Sequence, residues 1–421
     1  MQQLQRRLGT AQATFIGLGS MIGAGVFAVF APAAAAAGSW LLVGLAIAAL
    51  VAVCNALASA QLAARFPTSG GTYVYGREML GPWWGFLAGW SFVIGKTASC
   101  AAMALTFALY VAPDGWERPV AALAVCALAT VNIFGVTRTA LLARILVVLV
   151  IAALAVGIIA STASTQPLEW TLPQGPYGVL QSAGLLFFAF AGYARIATMG
   201  EEVQRPSVTI PRAIVTALAV AVVVYAVVGV GLLSALGAAD LAASSEPLVD
   251  AVKAGGHPEL VPIIAIGAAL AALGALLALI AGIGRTTLAM ARESDLPRGL
   301  SAVHPRLNTP HRAELLLAAV VVVLVLTVDL RSAIGFSSFG VLLYYLVANL
   351  AALRQGRERY PRALFVIGGV GCVTLVATLP LPSIIGGAVV VLAGVAYRWI
   401  RLHALSLPVN GTHGSEEERS L

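Results

Sequence analysis

Twelve apolar stretches recur along a chain of 421 residues, and they constrain its fold more than any other feature. They cover 12–37, 40–64, 83–112, 119–136, 141–162, 176–199, 213–237, 260–284, 314–329, 332–353, 363–379 and 382–400. A helix of about 20 apolar residues crosses the hydrocarbon core of a bilayer. Most of the stretches reach that length; the fourth, ninth and eleventh lie near the short limit. Only 10% of the residues are charged and 60% are hydrophobic, against about 25% charged in a soluble globular protein. Such a chain lacks the polar surface to face water on all sides. The expectation is an all-α polytopic membrane protein with about 12 transmembrane helices.

The placement of lysine and arginine gives an orientation, because cytoplasmic loops carry an excess of both. With the N-terminus in the cytoplasm, 20 of the 25 basic residues fall in cytoplasmic segments. Only Arg118, Lys253 and Arg331 fall in outer loops, and Lys96 and Arg195 lie within apolar stretches. Acidic residues, 10 inside and 8 outside, carry no orientation signal. Both termini are therefore expected inside. The same bias accounts for the net charge of +7 without a nucleic-acid partner. The implied organisation is a cytoplasmic N-terminus (1–11), ten core helices (12–353), two further helices (354–401) and a polar tail (402–421) expected to be disordered. The richness in alanine and arginine suggests a GC-rich bacterial genome, and so the cytoplasmic (inner) membrane.

Arg6 and Arg7 precede an apolar run ending in "APAAAAAG", which has the outline of a secretory signal. That run is broken by glycines, however, and further spans follow at once. Cys54, Cys100, Cys126 and Cys372 all lie in apolar stretches, which disfavours a disulfide framework, and their spacing suits no zinc site.

The first stretch contains "GLGSMIGAGVF" (17–27), with Gly17, Gly19, Gly23 and Gly25 at its centre. Each glycine weakens a helix by about 1 kcal/mol. Irregular backbone at membrane depth is tolerated only where protein buries it or where it lines a cavity. A half-helix starting there offers free N–H groups and a positive dipole end to an anionic group. Gly23, Ala24 and Gly25 would present those N–H groups. The plainer reading is a helix-packing pair, Gly19 and Gly23. A dinucleotide loop does not fit, because Ile22 stands where a third glycine is needed and no strand precedes it. If two inverted repeats of five helices are present, a matching break belongs in the sixth stretch. That stretch includes "LLFFAFAGYARIATMGEE" (185–202), with Gly192 flanked by Phe188, Phe190 and Tyr193. The aromatics either wall and gate a pocket or simply pack.

Four blocks, in order, carry a family resemblance: "GSMIGAGVF" (19–27), "PTSGGTYVYGREMLGP" (67–82), "FFAFAGYARIATMGEEVQRPSVTIPRAI" (187–214) and "GRTTLAMARESDLPRGLSAVHPRLNTP" (284–310). They resemble the first helix, the second-to-third loop, the sixth helix with its following loop, and the eighth-to-ninth loop of the amino acid–polyamine–organocation superfamily. The resemblance covers about residues 10 to 355. It implies a five-plus-five inverted-repeat (LeuT-like) core with broken helices 1 and 6, and secondary transport of amino acids or related amines. It puts a carboxylate site on Gly23, Ala24 and Gly25, and carbonyls for an α-amino group near Ile16, Met21, Phe188 and Ala191. Phe188 stands where the family often has a gating aromatic. Met103, Leu273, Gly274, Phe336 and Ser337 are the implied side-chain pocket.

Departures from the family pattern bear on energy coupling. Many members carry an acid two residues after the helix 6 glycine, where this chain has Ala194 followed by Arg195. Some proton-coupled members have a lysine on helix 5, where this chain has Leu149, Val150 and Ile151. The eighth stretch, read over 262–284, has no serine or threonine, which disfavours a sodium site. Lys96 remains, about 20 Å along the third helix, in a chain with only one other lysine. An ionisable group at that depth is costly and is a functional candidate by default. Lys96 is the candidate proton-coupling residue; the alternative is a structural lysine bonded to carbonyls of the unwound segments. Arg195 either draws an acidic substrate or snorkels toward Glu201 or Glu202. The second is favoured, with Arg195, Glu201, Glu202 and Arg205 as an inner-gate charge network.

The functional expectation is a secondary active transporter of a neutral or small amino acid, working by alternating access with proton coupling. The alternatives are an exchanger without proton coupling and a transport-dead nutrient sensor on the same scaffold. A membrane enzyme is disfavoured, because His257, His304, His311, His403 and His413 all lie in loops or near helix ends. The expected partners are a small amino acid or amine, protons and the lipid bilayer, with no cofactor or metal.

Overall fold

The computed structural model describes residues 8–406 apart from 68–69, 135–138, 168, 171, 201, 305–306, 308 and 357–358. The tail beyond 406 lies outside the described residues. The helices, in order, are α1 (Thr10–Met21), α2 (Ala24–Ala28), α3 (Phe30–Ala37), α4 (Leu41–Arg65), α5 (Thr72–Leu80), α6 (Pro82–Val111), α7 (Glu117–Ile133), α8 (Thr139–Ser161) and α9 (Gly175–Phe190). They continue as α10 (Ala194–Ala197), α11 (Pro206–Ala243), α12 (Pro247–Ala254), α13 (Val261–Arg292), α14 (His311–Thr327), α15 (Leu330–Leu353), α16 (Arg362–Thr378) and α17 (Leu381–Ser406). Among the described residues there is no sheet, only an isolated parallel bridge between Leu8 and Val203.

Each of the twelve apolar stretches falls on one helix or on consecutive helices, the first on α1, α2 and α3. Nine helical spans among the described residues are long and apolar enough to cross a membrane. The fourth, ninth and eleventh stretches form α7, α14 and α16, of 17 residues each. The chain is thus a multi-pass helical membrane protein. Valine, leucine and isoleucine side chains on its periphery face outward, among them Leu141 and Ile159 on α8 and Leu392 on α17. That is what a bilayer solvent permits. The largest fully buried side chains include Phe27, Phe187, Phe190, Tyr193, Tyr225 and Tyr345. They mark a centre built from the first, sixth, seventh and tenth spans.

Two helices were not expected. α5 lies in the loop between the second and third spans, and α12 lies in the loop before α13. α5 starts after Gly71 at φ 57 and stops at Gly81 at φ 108, values that favour glycine at both ends. The seventh span also starts earlier than the apolar pattern suggests. Pro206 stands in the first turn of α11, where the missing N–H costs no hydrogen bond. The sixth span ends at Ala197, well before that proline, and Pro211 lies inside α11.

Candidate functional site

The first span breaks where the glycines predict. α1 ends at Met21, and Gly23, at φ −100 and ψ −143, departs from helical geometry. The ladder of i to i−4 bonds stops there. Ala24 and Gly25 open the first turn of α2, where N–H groups have no intrahelical acceptor. Pro32 lacks an N–H to bond back into the preceding turn, and the helix is interrupted again at Val29. The sixth span breaks at the matching place. α9 ends at Phe190, Ala191–Tyr193 tighten into a 3-10 turn, and α10 adds one further turn.

The two breaks lie against each other. A Cβ on Gly192 would stand 2.6 Å from Met21 N, and one on Gly25 would stand 2.8 Å from Ala189 Cα. Real Cβ atoms do not come that close, so glycine is what lets the two backbones touch. Gly23 faces α13, where an added Cβ would lie 2.6 Å from Ala275 Cβ. Gly17 takes part in packing as well, since a Cβ there would lie 2.7 Å from Ile196 Cγ1. The glycine cluster therefore combines both readings of the sequence: a helix break and a close-packing face.

Carbonyls freed by the breaks find donors on neighbouring spans. Tyr225 Oη on α11 lies 2.6 Å from Met21 O and 2.9 Å from Ala189 O, one hydroxyl shared between the two breaks. Lys96 Nζ on α6 donates to Ala191 O at 3.0 Å, and Tyr345 Oη on α15 donates to the same oxygen at 3.3 Å. About four turns further along α6 a second side chain takes the same role. Met103 is buried two turns beyond Lys96, and Tyr110, two turns further, donates to Phe27 O at 3.2 Å. Aromatic rings close the surroundings: Phe190 meets Tyr225 edge-on at 5.0 Å, and Tyr193 stacks on Tyr345 at 4.8 Å. Ile16 and Phe188 are also buried.

Other sequence candidates sit elsewhere. Phe336 points to α17, with Gly386 beside its ring, and lines a cavity of about 210 Å³ with Ala98, Ala101 and Ser383. Helical rotation carries it off the face that Ser337 occupies. Ser337 itself pairs with Ser99 on α6 at 2.6 Å, a helix-to-helix contact. Gly274 faces Leu146 on α8. The wall that α13 gives to the first break is Ala271 and Ala275, not Leu273 and Gly274. α13 also runs further than its apolar stretch and carries Thr286 and Thr287. Those hydroxyls are about 16 Å or more along the helix from Ala275, at 1.5 Å per residue.

Below the breaks, Arg195 Nη2 lies 3.9 Å from Glu202 Oε1, and its Nη1 donates to Thr198 Oγ1 at 3.1 Å. Arg285 on α13 donates to the same Glu202 oxygen at 2.5 Å. Glu201 lies outside the described residues. Arg205 is exposed, with φ 46, at the turn into α11, and makes no ion pair with another described residue. Arg285, in the last turns of α13, is thus the nearest described cation to Glu202. The chain start closes over the same loop, where Leu8 N donates to Glu202 O at 3.1 Å and Gln204 N donates to Leu8 O at 2.8 Å.

Sequence reasoning missed Tyr225 and Tyr345. Tyr225 did leave a signal, being the sole hydroxyl between Thr216 and Ser234 in an otherwise apolar span. A lone hydroxyl at that depth must find an acceptor or pay for its burial.

Comparison with known proteins points the same way. The sequence profile of the family described as amino acid permease matches residues 8–406. An uncharacterized transporter of Mycobacterium tuberculosis is 55% identical over 405 residues, 95% of this chain and 92% of that protein. A branched-chain amino acid permease of Bacillus subtilis is 27% identical, covering 90% of this chain and 91% of its own length. A methylthioribose transporter of the same bacterium is 28% identical, covering 86% and 83%.

Proposed function

As the chain belongs to the amino acid permease family, within the amino acid–polyamine–organocation superfamily, we propose that it is a secondary active transporter that binds a neutral or small amino acid between the breaks of its first and sixth spans. The observation that carries this reading is the contact of the two breaks, Gly192 on Met21 and Gly25 on Ala189. Two interrupted helices meeting in a membrane core are what a carboxylate and an ammonium need: N–H groups from one half-helix, carbonyls from another. The substrate carboxylate binds at Gly23, Ala24 and Gly25, and the amino group at the carbonyls of Ile16, Met21, Phe188 and Ala191. The core is a five-plus-five inverted repeat working by alternating access, set in the cytoplasmic membrane with both termini inside.

A neutral substrate is supported by the charges near the site. Lys96 and Arg195 are both cations, and they repel a cationic side chain. The relative named as a branched-chain amino acid permease fits the same preference. Coupling is assigned to protons, with Lys96 as the exchanging group. A second reading has a specific observation behind it: the bond from Lys96 to Ala191 O holds the ammonium as a fixed strut. A fixed charge suits an exchanger without proton coupling.

Uptake of radiolabelled amino acids into proteoliposomes separates these readings. Accumulation driven by an alkaline interior supports proton coupling. Uptake only against a preloaded amino acid supports exchange. No uptake of any amino acid under either condition overturns the transporter reading.

A further inference from the structure

One buried carboxyl group near the basic end of the bundle has no role in the site described above. Glu314 stands in the first turn of α14, 3% exposed, and its Oε2 is sealed from solvent with no hydrogen-bond partner. Gly284 and Pro310, which flank the side chain, carry no side-chain donor. Gly284 faces it, close enough that an added Cβ would lie 3.0 Å from Glu314 Cγ and 3.4 Å from Oε1, and Pro310 Cγ flanks the same point at 3.4 Å. A carboxylate left unpaired and dry is strongly disfavoured, whereas a protonated carboxyl is not.

The cation beside Glu314 is Arg285, which follows Gly284 on α13 and whose charge acts on the carboxyl. Its guanidinium is engaged elsewhere, donating to Glu202 at 2.5 Å. Glu202 also faces Arg195 at 3.9 Å. Among the described residues, the other titratable or charged groups of this region are His311 and Arg312 on α14 itself, His304 in the preceding loop and Arg298 in the 3-10 turn Arg298–Ser301 that packs against α14. The two histidine rings meet edge-on at 5.5 Å. Two carboxylates on separate elements thus compete for one arginine. Glu202 belongs to the loop after the broken sixth span, while Arg285 and Glu314 belong to α13 and α14.

We propose that Glu314 is a proton-binding site that sets the inner gate. While the gate is shut, Arg285 pairs with Glu202 and Glu314 holds a proton. When the gate opens, Glu202 withdraws with its loop, Arg285 turns to Glu314, and Glu314 releases the proton to the cytoplasm. No other group is consumed: one O–H bond breaks and water takes the proton. Acid then favours the shut gate, and alkali the open one. This inference rests on the transporter reading, because a gate is needed only if the molecule alternates.

Gate opening is read directly, without transport, by maleimide labelling of a cysteine at Ile16, with Cys126 replaced by serine, in nanodiscs between pH 6 and 8. Maleimide reacts with the thiolate, whose fraction itself rises with pH, so every labelling rate is divided by that of free glutathione at the same pH. With Glu314 intact, this normalised labelling should accelerate as pH rises, by up to about tenfold per pH unit for one linked proton. Glu314→Gln should label slowly at every pH, and Glu202→Gln, which frees Arg285, should label fast at every pH. A pH dependence that survives unchanged in either variant overturns the proposal, so a Glu314→Gln protein that fails to fold still leaves a decisive arm. Proteoliposomes that take up no amino acid would overturn the transporter reading instead, with the labelling result standing apart from it.

Discussion

Lys96 Nζ sits 3.0 Å from Ala191 O, so the one lysine buried in the bundle core is tied to the break of the sixth span. The bond joins a charge on α6 to backbone that moves if the break rearranges. On the proposed function, a substrate amino group at Ala191 O competes with the ammonium for the same lone pairs. That is a physical route from substrate binding to the protonation of Lys96.

Replacing Lys96 by methionine keeps the apolar stem and removes the exchangeable proton. The expected result is loss of accumulation driven by a pH gradient, with the internal-to-external substrate ratio falling to about one. Uptake against pH in proteoliposomes checks this. Undiminished proton-driven accumulation would exclude Lys96 as the coupling group.

Tyr225→Phe removes the hydroxyl that serves Met21 O and Ala189 O but keeps the ring against Phe190. Buried carbonyls that lose their donor cost about 1–3 kcal/mol. The variant should melt at a lower temperature and transport several-fold more slowly. Wild-type melting and uptake would assign the hydroxyl no part in holding the breaks together.

Gly192→Ala drives a methyl group into the backbone of Ser20 and Met21. Overpacking of this kind costs about 1–3 kcal/mol, and here it also separates the two breaks, so uptake should fall with stability. Gly282→Ala on α13 is the control, because nothing lies within 4 Å of its added carbon. That change should leave transport intact and gain about 0.5–1 kcal/mol of helix stability. Thermal unfolding and uptake on the pair decide whether close approach, and not glycine as such, matters at Gly192.

Arg398 near the end of α17 pairs with Asp295, both buried, while Tyr73 donates to the same carboxylate at 2.9 Å and Arg77 approaches it at 3.6 Å. Burial pushes the Asp295 carboxyl above the usual range, and Arg398, Tyr73 and Arg77 pull it back. Arg398→Ala removes the strongest of these pulls and should cost about 3–5 kcal/mol. A carboxyl whose folded pKa is raised adds stability when protonated, and that stability is lost as pH rises through the folded value. The penalty of Arg398→Ala should therefore be smaller at acid than at alkaline pH. Melting temperatures measured across pH test it, and a penalty that grows on acidification contradicts it.

Sequence alone determined the helical, membrane-spanning character of the chain, the place of the first break and the family. These are local properties. Apolar length decides whether a segment enters lipid, and Gly23 and Gly25 decide where its ladder fails. It also singled out Gly192 and Lys96, because a mid-span glycine and a mid-span charge are both costly without a purpose. Only the tertiary structure decided what each of these touches. Helical rotation turned Phe336 to α17 and Gly274 to α8, and set Ala271 and Ala275 against Gly23. Tyr225, Tyr345 and Arg285 entered the site from spans distant in the chain, each to satisfy a backbone carbonyl or a carboxylate. Hydrogen-bond satisfaction in a dry interior depends on which spans become neighbours, and no single apolar stretch carries that information.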